Sequence, residues 1–476
     1  MSFNLNDLED ALGNDIVDIN RGGIFSIDHV VFDSREVTDR TLFVAKKGDR
    51  NDGHDFIESV LRANDSALVL AERLPAGLGS QKRIILVKDT LKAFENLAIF
   101  SRNRIKGTVL GITGSIGKTS TKDIVSRTLS CYGKIHCSQL SFNNYIGTLT
   151  TLANSPADVD YLVCEMGVGD IGEMGKLVDL VRPDIAIVMN IKPSHISYFS
   201  SEENIALEKS QIVRDGAKLA VLNMDDSWYE FMYSRASAKA GKIITFGRGS
   251  KADICLKKHE VVGNGAKVVY QLGEEKYSCD FENIDYNIAY NSMAALAVVK
   301  YLELPWEKAL EAISSQETPR GRNNVEYASY ESGGRTINLS IINGSYNAVI
   351  PDAFISGLEF MKNIFAQGKT ARKVCIWGDM LETGSKANEF HQSLGERLIE
   401  AKVDILLTVG DNMKKLGESL GGTDITHIHF ASIGELISSV KNILADRDLV
   451  FVKSSKGMKT YEVLNFLVKE KMKLFL

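Results

Sequence analysis

A glycine-rich turn between an apolar run and the start of a helix constrains the fold of this chain more than any other feature. The apolar run at residues 108–112 leads into the segment GITGSIGKTST at residues 111–121. Glycines let consecutive backbone N–H groups and a helix N-terminus point at phosphate oxygens. Lys118 would then reach the β and γ phosphates, and the Thr119 hydroxyl would hold Mg²⁺. The segment therefore predicts a phosphate loop after a strand of a parallel sheet.

The loop departs from the strict pattern G-x-x-x-x-G-K-[ST], because Ile112 stands where that pattern has its first glycine. It follows the related form T-G-x-x-G-K-T. A guanine-specific GTPase would carry N-K-x-D after a later strand, and the nearest segment, Asn190-Ile191-Lys192-Pro193, does not fit. The loop therefore predicts nucleotide binding without guanine recognition, and by itself it leaves a switch and an enzyme both open.

The domain organisation follows from length and from two polar joints. A chain of 476 residues exceeds one hydrophobic core and fits roughly three domains of about 150 residues. The joints lie at residues 103–107 and 318–322. We predict an α/β protein with a small α/β domain at 1–106, a central P-loop ATPase domain with a parallel sheet at 107–318, and a C-terminal, Rossmann-like doubly wound domain at 319–476.

Apolar runs separated by turn and helix signals place the strands of these domains. A β-rich insertion at 253–281 and a helix at 285–302 are expected in the central domain, and another β-rich stretch opens the third. The strands are predicted at residues 30–32, 42–45, 67–71, 83–87, 108–112, 161–164, 185–189, 219–222, 243–246, 374–377, 405–409, 427–430 and 449–452.

Composition excludes several classes of protein. With 56 Lys and Arg against 61 Asp and Glu, the net charge of −5 gives no reason to expect nucleic acid as a partner. Residues 1–10 lack the basic start and apolar stretch of a secretion signal, and no apolar run approaches the roughly 18 residues of a membrane span. The six cysteines are too sparse for a disulfide framework. We expect a cytoplasmic protein with buried thiols and no membrane span.

Two side chains at strand ends are candidate metal ligands. Glu165 follows the apolar run at 161–164, which places a carboxylate beside the phosphates, where Mg²⁺ needs a second ligand. His195 lies five residues after Asn190, at the end of the next strand. Lys209 sits on an amphipathic helix, where a lysine is ordinarily solvated. These residues gain further roles only through the resemblance described next.

Segments in all three predicted domains resemble one known family. They are Asp33-Ser34-Arg35, the loop at 113–120, FNNYIG at 142–147, SYNA at 345–348, GDMLE at 378–382 and VKSSKGM at 452–458. Together they are similar to the Mur ligase family, the ATP-dependent amide ligases of peptidoglycan synthesis, and most closely to its branch that adds D-alanyl-D-alanine. The resemblance implies that the first domain binds a UDP-sugar and that the third closes over ATP and admits the amine.

The resemblance also implies the site residues. The catalytic residues would be Lys118, His195 and Lys209. ATP would be bound by Thr113, Gly114, Ser115, Ile116, Gly117, Lys118, Thr119, Ser120, Asn287, Asn291 and Arg322. The UDP-muramoyl-peptide would be bound by Ser34, Arg35, Asn143 and Asn144. Mg²⁺ would be held by Thr119, Glu165, His195 and a carbamylated Lys209, in which an ammonium becomes an anionic oxygen ligand. The partners would be that precursor and D-alanyl-D-alanine, and the chain a monomer.

The implied reaction joins D-alanyl-D-alanine to UDP-N-acetylmuramoyl-tripeptide through an acyl phosphate, in cell-wall synthesis. This chain departs from the family at Asn343-Gly344, where an acidic pair is usual, and at Gln211, which replaces a common glutamate. Further departures are Tyr286 for histidine, Ser454 for glycine and Lys456 for arginine. Two alternatives remain open: a Mur-type ligase for another acid or amine, and a non-catalytic relative that binds nucleotide.

Overall fold

Three separate β-sheets, each built from one stretch of the chain, organise the protein. The computed structural model describes residues 3–19, 26–48, 51–75, 83–214, 216–366, 368 and 370–468. In chain order the sheets have five, nine and six strands, and a two-stranded ribbon lies near the N-terminus. The architecture is α/β with three domains, as the sequence predicts.

The first domain carries the five-stranded sheet, in the order β2-β7-β6-β5-β4. Only β2 is antiparallel to its neighbour. The elements are β1 Phe3–Asn4, α1 Leu5–Leu12, β2 Ile16–Ile19, β3 Ser26–Ile27, β4 His29–Val31, β5 Thr41–Val44, α2 Ile57–Ala63, β6 Leu68–Ala71, β7 Ile84–Val87 and α3 Thr90–Arg104.

The central domain carries the nine-stranded sheet, in the order β16-β15-β14-β13-β12-β11-β8-β10-β9. Its elements are β8 Thr108–Thr113, α4 Lys118–Ser130, β9 Ile135–Cys137, α5 Tyr145–Ala153, β10 Tyr161–Glu165, α6 Glu173–Val181, β11 Ile185–Val188, α7 Ile196–Phe199, α8 Glu202–Ser210, β12 Leu219–Asn223, α9 Tyr229–Ser237, β13 Lys242–Gly247, β14 Ile254–Val262, β15 Gly265–Leu272, β16 Glu275–Phe281, α10 Tyr286–Tyr301 and α11 Trp306–Ser314.

Strand β8 lies inside the parallel part of this sheet, between β10 and β11. Its register pairs Ile112 with Glu165 and Thr113 with Val188, so three strands end together at one edge. The three strands are almost fully buried, because apolar clusters cover both faces of the sheet. In open α/β sheets ligands bind outside the carboxyl ends of such strands, where neighbouring connections run in opposite directions. The fold therefore places the predicted phosphate loop at that edge.

The third domain carries the six-stranded sheet, in the order β17-β18-β22-β19-β20-β21, with only β17 antiparallel. Apolar clusters again cover both faces. Its elements are β17 Asn324–Ser332, β18 Arg335–Gly344, α12 Asp352–Phe365, β19 Lys373–Gly378, α13 Ala387–Gln392, α14 Leu394–Glu400, β20 Ile405–Val409, α15 Asp411–Ser419, β21 Thr426–Phe430, α16 Ile433–Ile443, β22 Leu449–Lys453 and α17 Tyr461–Val468.

Every strand predicted individually is present, with ends that differ by a residue or so. The β-rich stretches are antiparallel: β14 to β16 extend the central sheet, and β17 with β18 forms a hairpin. The short strand β9 was not predicted, because three half-buried residues give no periodicity. The expectation of buried thiols is confirmed for Cys164, Cys255 and Cys375. It is wrong for Cys131, which is exposed at the end of α4, and Cys137 and Cys279 are half-buried. None of the helices in the described ranges is long and apolar enough to cross a bilayer.

Among the contacts that dock the first domain on the central one, two lie near the loop that follows β4. The Asn154 side chain donates to Val30 O and accepts from Val30 N, both at 2.8 Å. The rings of Phe32 and Phe142 lie 6.1 Å apart between centroids. The loop that follows β4, with Ser34 and Arg35, therefore lies on the side of the central domain that carries the segment at 142–147.

Helix α12 packs so tightly on β22 that one of its positions admits only glycine. A Cβ at Gly357 would lie 2.0 Å from the Phe451 ring. We expect Gly357→Ala to lower the free energy of unfolding by roughly 1–3 kcal/mol, because the ring must move within a filled core. Gly434→Ala, at an exposed position of α16 where a Cβ would lie 3.8 Å from Ser432 Oγ in ordinary van der Waals contact, is the control and should be neutral or slightly stabilising. Chemical denaturation of both variants measures the difference, and equal effects would contradict it.

Candidate active site

The phosphate loop follows β8 and ends where α4 begins at Lys118. Gly117 has φ +81° and Gly114 φ +153°, backbone conformations that glycine adopts at little cost. A Cβ at Gly117 would lie 3.5 Å from the Asn291 amide, so Asn291 of α10 covers the loop closely. The predicted residues from Thr113 to Ser120 thus form one strand–loop–helix turn, with free N–H groups of the first turn of α4 at its mouth.

Asn190, at the end of β11, holds the loop in shape. Its Oδ1 accepts from Ser115 N at 3.1 Å and Ile116 N at 3.0 Å, and its Nδ2 donates to Ile116 O at 3.0 Å. Ser115 Oγ also donates to Lys192 O at 2.8 Å. The sequence analysis considered Asn190 only as a failed guanine signature. Its actual position follows from the pairing of β11 with β8, which no local pattern reveals.

Lys118 folds back over its own loop. Its Nζ donates to Gly114 O at 2.7 Å and to Ser115 O at 3.2 Å. Burial lowers the pKa of Lys118, Glu165 opposes this shift and Arg322 adds to it. An ammonium held only by neutral carbonyls is available for a stronger acceptor such as a phosphate oxygen.

Arg322 links the loop to the third domain. Its Nη2 donates to Thr119 Oγ1 at 2.6 Å, and its guanidinium lies 4.5 Å from the centroid of the Tyr346 ring. The Tyr346 hydroxyl in turn contacts Ser141 Oγ, just before the segment at 142–147. The sequence analysis included Tyr346 in the segment at 345–348 without giving it a role of its own, and it did not consider Ser141. The contacts connect the phosphate loop, the joint at 318–322 and the predicted precursor-binding segment.

Glu165 presents an oxygen that fits a cation. Its Oε1 accepts from Asn143 Nδ2 at 2.7 Å, whereas Oε2 is buried and has no hydrogen-bond partner among the residues described. The neighbouring Asn144 side chain accepts from Gly147 N and caps α5. No group of three or more His, Cys, Asp or Glu side chains is gathered for a metal within the described ranges. A single carboxylate oxygen beside a phosphate loop suits Mg²⁺, because this ion keeps several water ligands and binds phosphate oxygens together with only one or two carboxylates.

Lys209 is buried in the structure, with 1% of its surface exposed, so the solvated lysine that an amphipathic helix would suggest is wrong. Burial, with repulsion from Lys118, keeps its pKa well below the ordinary value. Within the part of the chain described, its amine makes no hydrogen bond and no ion pair. Glu208 beside it is committed elsewhere, since its carboxylate accepts from Gly172 N and Met174 N. An unpaired, buried amine of this kind is a nucleophile for CO₂.

His195 lies at the start of α7 and pairs with the third domain. Its Nδ1 contacts Glu382 Oε2, and burial lowers the pKa of His195 although Glu382 opposes that shift. Lys118 and Lys209 also lower this pKa, which places the ring on the side of the site that they occupy. Glu382 belongs to the GDMLE segment at 378–382, and the sequence analysis gave it no role.

Positively charged side chains gather beside the phosphate loop. Lys118 lowers the pKa of Lys209 against the opposing effect of Glu208, and Arg322 lowers the pKa of Lys118 against that of Glu165. Burial and Arg322 also lower the pKa of Lys453, at the end of β22, to about 7. Buried like charges repel one another and are stabilised by an anion that binds between them. The geometry therefore fits a polyphosphate.

The other predicted residues have partners of their own. Asn287 Nδ2 donates to Asp285 Oδ1 and to Ser356 Oγ of the third domain. Arg35 is largely exposed and pairs with Asp33, whose side chain also accepts from Arg35 N. The structure brings the loop residues, Glu165, His195, Lys209, Asn291 and Arg322 together, whereas Ser34 and Arg35 stay on the first domain.

The departures from the family pattern have local consequences. Asn343 Nδ2 donates to Glu326 Oε1 at 2.7 Å, and Gln211 Nε2 donates to Glu208 Oε2 at 2.9 Å. Gly344 faces Lys453, because a Cβ there would lie 2.9 Å from Lys453 Cδ. Within the described residues Lys453 has no carboxylate at ion-pair distance.

Comparison with known proteins assigns this arrangement to a class of ligases. Residues 26–101 match the model of the Mur ligase family catalytic domain, residues 112–299 that of the Mur ligase middle domain, and residues 336–456 that of the Mur ligase glutamate ligase domain. A relative from Bacillus subtilis is 30% identical over 447 residues, which cover 92% of this chain and 93% of the relative. The chain belongs to the Mur ligase family.

That relative is a UDP-N-acetylmuramoyl-tripeptide–D-alanyl-D-alanine ligase, and so is one from Rickettsia prowazekii, 28% identical over 98% of this chain and 100% of the relative. Among solved structures, the MurF ligase of Thermotoga maritima in complex with ADP is 26% identical and superposes with a TM-score of 0.74, covering 94% of this chain and 98% of that one. MurF from Acinetobacter baumannii has a TM-score of 0.79 at 22% identity over 98% and 99%, and shares the fold.

Burial of Lys453 should make stability depend on pH in a defined direction. The pKa of Lys453 is about 7 in the folded chain, against an ordinary value of 10.5. Below pH 7 the folded state therefore holds a buried charge. Between about pH 7 and 10.5 the side chain is neutral in the folded state and still protonated in the unfolded state. Stability from this group therefore rises with pH across that window. We expect Lys453→Met to raise the free energy of unfolding by roughly 2–4 kcal/mol at pH 6, and by progressively less towards pH 10.

Denaturant unfolding of the ligand-free protein at several pH values measures this difference. The exposed Lys176→Met on α6 is the matched control and should show no such trend. A constant difference between Lys453→Met and the unmodified chain from pH 6 to 10 would contradict the predicted titration.

Proposed function

We propose that this protein is an ATP-dependent ligase that joins D-alanyl-D-alanine to UDP-N-acetylmuramoyl-tripeptide in peptidoglycan synthesis. The observation that carries the proposal is the strand–loop–helix turn at 113–120, with Lys118 and the Arg322 guanidinium beside it, together with Glu165 Oε2, a carboxylate oxygen without a hydrogen-bond partner among the described residues. This combination suits a nucleoside triphosphate bound with a divalent cation. The identity of the acid and of the amine in this proposal comes from the names of the relatives in Bacillus subtilis and Rickettsia prowazekii.

A carboxylate resists attack by an amine at neutral pH, because its oxygen is a poor leaving group. ATP supplies a phosphoryl group that converts the precursor's carboxylate into an acyl phosphate, from which the amine displaces phosphate to form the amide. The backbone N–H groups of the loop and Lys118 hold the phosphates and neutralise charge on the transferred group. The third domain, already in contact through Arg322, Tyr346 and Glu382, excludes water that would hydrolyse the activated acid.

Glu165 would hold Mg²⁺ through its unpaired oxygen, with the Thr119 hydroxyl, His195 and the carbamate of Lys209 as the other protein ligands. The ion supplies charge neutralisation at the phosphates. Asn143 orients Glu165, so the predicted precursor-binding segment and the metal ligand are fixed by one hydrogen bond. Asn144 contributes through its free amide group, because its carbonyl caps α5.

We also propose the domain limits 1–106, 107–318 and 319–476, the monomeric state and a cytoplasmic location. The limits are supported by the sheets, which occupy residues 16–87, 108–281 and 324–453. The location is supported by the proposed substrates, because ATP and UDP-activated sugars are made and used inside the cell. Light scattering coupled to size exclusion tests the monomer.

The proposal is tested by product analysis. After incubation with UDP-muramoyl-tripeptide, ATP, Mg²⁺ and D-alanyl-D-alanine, we expect the precursor to gain the mass of one dipeptide less one water, with ADP and phosphate released. Lys118→Ala should reduce turnover by about 10²–10³-fold without changing the fold, since its charge acts mainly in the transition state. The exposed Lys176→Ala is the control.

Parallel reactions with single amino acids, other dipeptides and other muramoyl precursors separate the alternatives. A product formed only with a different amine or acid would replace the proposed substrates. Binding of nucleotide without phosphate release in any reaction would indicate the non-catalytic relative.

The buried amine of Lys209 predicts a carbamate. The neutral nitrogen attacks the carbon of CO₂, an N–C bond forms and a proton leaves to solvent, which is favoured because the pKa of Lys209 lies well below its ordinary value. We expect Lys209→Ala to lose most activity and to recover part of it with added formate or acetate. The unmodified protein should show a carbamate ¹³C signal after exposure to ¹³C-bicarbonate. Full activity of Lys209→Ala without additives, or no such signal, would make it an ordinary structural lysine.

A further inference from the structure

Two non-glycine residues in the left-handed backbone region face each other across the interface between the central and third domains. His195 has φ +55° and Glu382 has φ +61°. Side chains disfavour this conformation, and its cost is tolerated mainly where surrounding contacts impose it, commonly at functional sites. Neither residue is covered deeply, since 29% of the His195 side chain and 41% of the Glu382 side chain are exposed. Core packing therefore does not explain the pairing.

The two residues are joined at two points. His195 Nδ1 contacts Glu382 Oε2, and Ser197 Oγ donates to Glu382 O at 3.0 Å. Gly384 approaches the same turn, because a Cβ at Gly384 would lie 3.3 Å from Ser197 Cα. The start of α7 thus receives both the side chain and the backbone of one third-domain residue. A chance ion pair between surface side chains would not be accompanied by a hydrogen bond to the backbone of the same residue.

The third domain holds Glu382 in place from the other side. The backbone N–H of Met380 donates to His391 Nε2 at 2.9 Å, and that of Leu381 donates to Ser455 Oγ at 2.8 Å. His391 and Ser455 are themselves buried. The turn that carries Glu382 is therefore rigidly attached to the sheet of the third domain, and it moves only with that domain.

We propose that Glu382 is a positioning residue that completes the metal site when the third domain docks: its carboxylate accepts a hydrogen bond from the protonated Nδ1 of His195, which leaves Nε2 as the free ligand atom. The inference rests on the proposed function of His195. A carboxylate on the far nitrogen of a ligating histidine fixes the tautomer and orientation of the ring and raises its basicity. Here the carboxylate comes from another domain, so binding of the cation and closure of the site become one event. Phosphoryl transfer is thereby confined to the state that excludes water.

The first test needs no metal and no activity. In the ligand-free full chain labelled with ¹⁵N-histidine, the His195 ring signals are identified by their loss in His195→Gln. At a pH where the ring is neutral, we expect the proton on Nδ1. Glu382→Ala should shift the ring towards the tautomer protonated on Nε2, which free imidazole side chains favour in water. An unchanged tautomer in Glu382→Ala would overturn the inference.

The second test measures binding of Mn²⁺ with a non-hydrolysable ATP analogue. We expect Glu382→Ala to weaken the metal affinity by about 10–100-fold. Glu382→Gln should lose less, because its amide oxygen still accepts from Nδ1–H. Glu389→Ala, an exposed carboxylate of α13 in the same domain, is the matched control and should bind as the unmodified chain does. Equal loss in Glu382→Gln and Glu382→Ala would assign the effect to charge and overturn positioning.

The outcomes separate this inference from the function on which it rests. Failure of the unmodified chain to bind the metal with the nucleotide analogue would refute the proposed function and the inference together. Normal binding by the unmodified chain with undiminished binding by Glu382→Ala would refute the inference alone. Glu382 is partly exposed, so thermal melting of both variants should match that of the unmodified chain and exclude a folding defect.

Discussion

The positive charge gathered at the carboxyl end of β8 is the interaction on which the rest of the site depends. Arg322 lowers the pKa of the buried Lys118 and places its guanidinium beside Thr119. Such a group of buried cations is unfavourable without a counter-charge. The fold maintains it by rigid packing on both faces of the central sheet, which prepares the site for an anionic ligand and reduces reorganisation when that ligand binds.

The neighbouring strands determine the shape of this charged centre. Because β8 lies between β10 and β11, their ends bring Glu165 to one side of the loop and Asn190 to the other. Glu165 retains an oxygen that can bind a cation, whereas the side-chain hydrogen bonds of Asn190 all go to the loop backbone. The end of β10 thus provides a metal ligand, and the end of β11 fixes the conformation of the loop. The third domain then adds groups that reach the same edge from outside, which makes the site a product of domain docking.

The sequence pattern was sufficient to predict those features that depend on residues close together in the chain. The apolar runs and turn signals predicted the parallel strands, and the strand–loop–helix context of the loop at 113–120 predicted its shape. Pattern failed for Asn190, considered only as a missing signature, and for Lys209, whose helix suggested exposure although it is buried. Asn144 illustrates a third case, because its side chain caps α5 in addition to any role towards substrate. In each case the deciding partner lies on a distant element or depends on the local backbone geometry.

The sequence by itself determined the class of fold, the phosphate loop and, through resemblance, the family. These follow from short-range hydrophobic periodicity, glycine conformations and motif spacing, which are written in adjacent residues. Only the tertiary structure decided that Lys209 is buried and unpaired, that Tyr346 contacts Ser141, and that Glu382 pairs with His195. Burial and long-range contacts depend on how sheets and domains pack, and residues 187 positions apart meet only after that packing is complete.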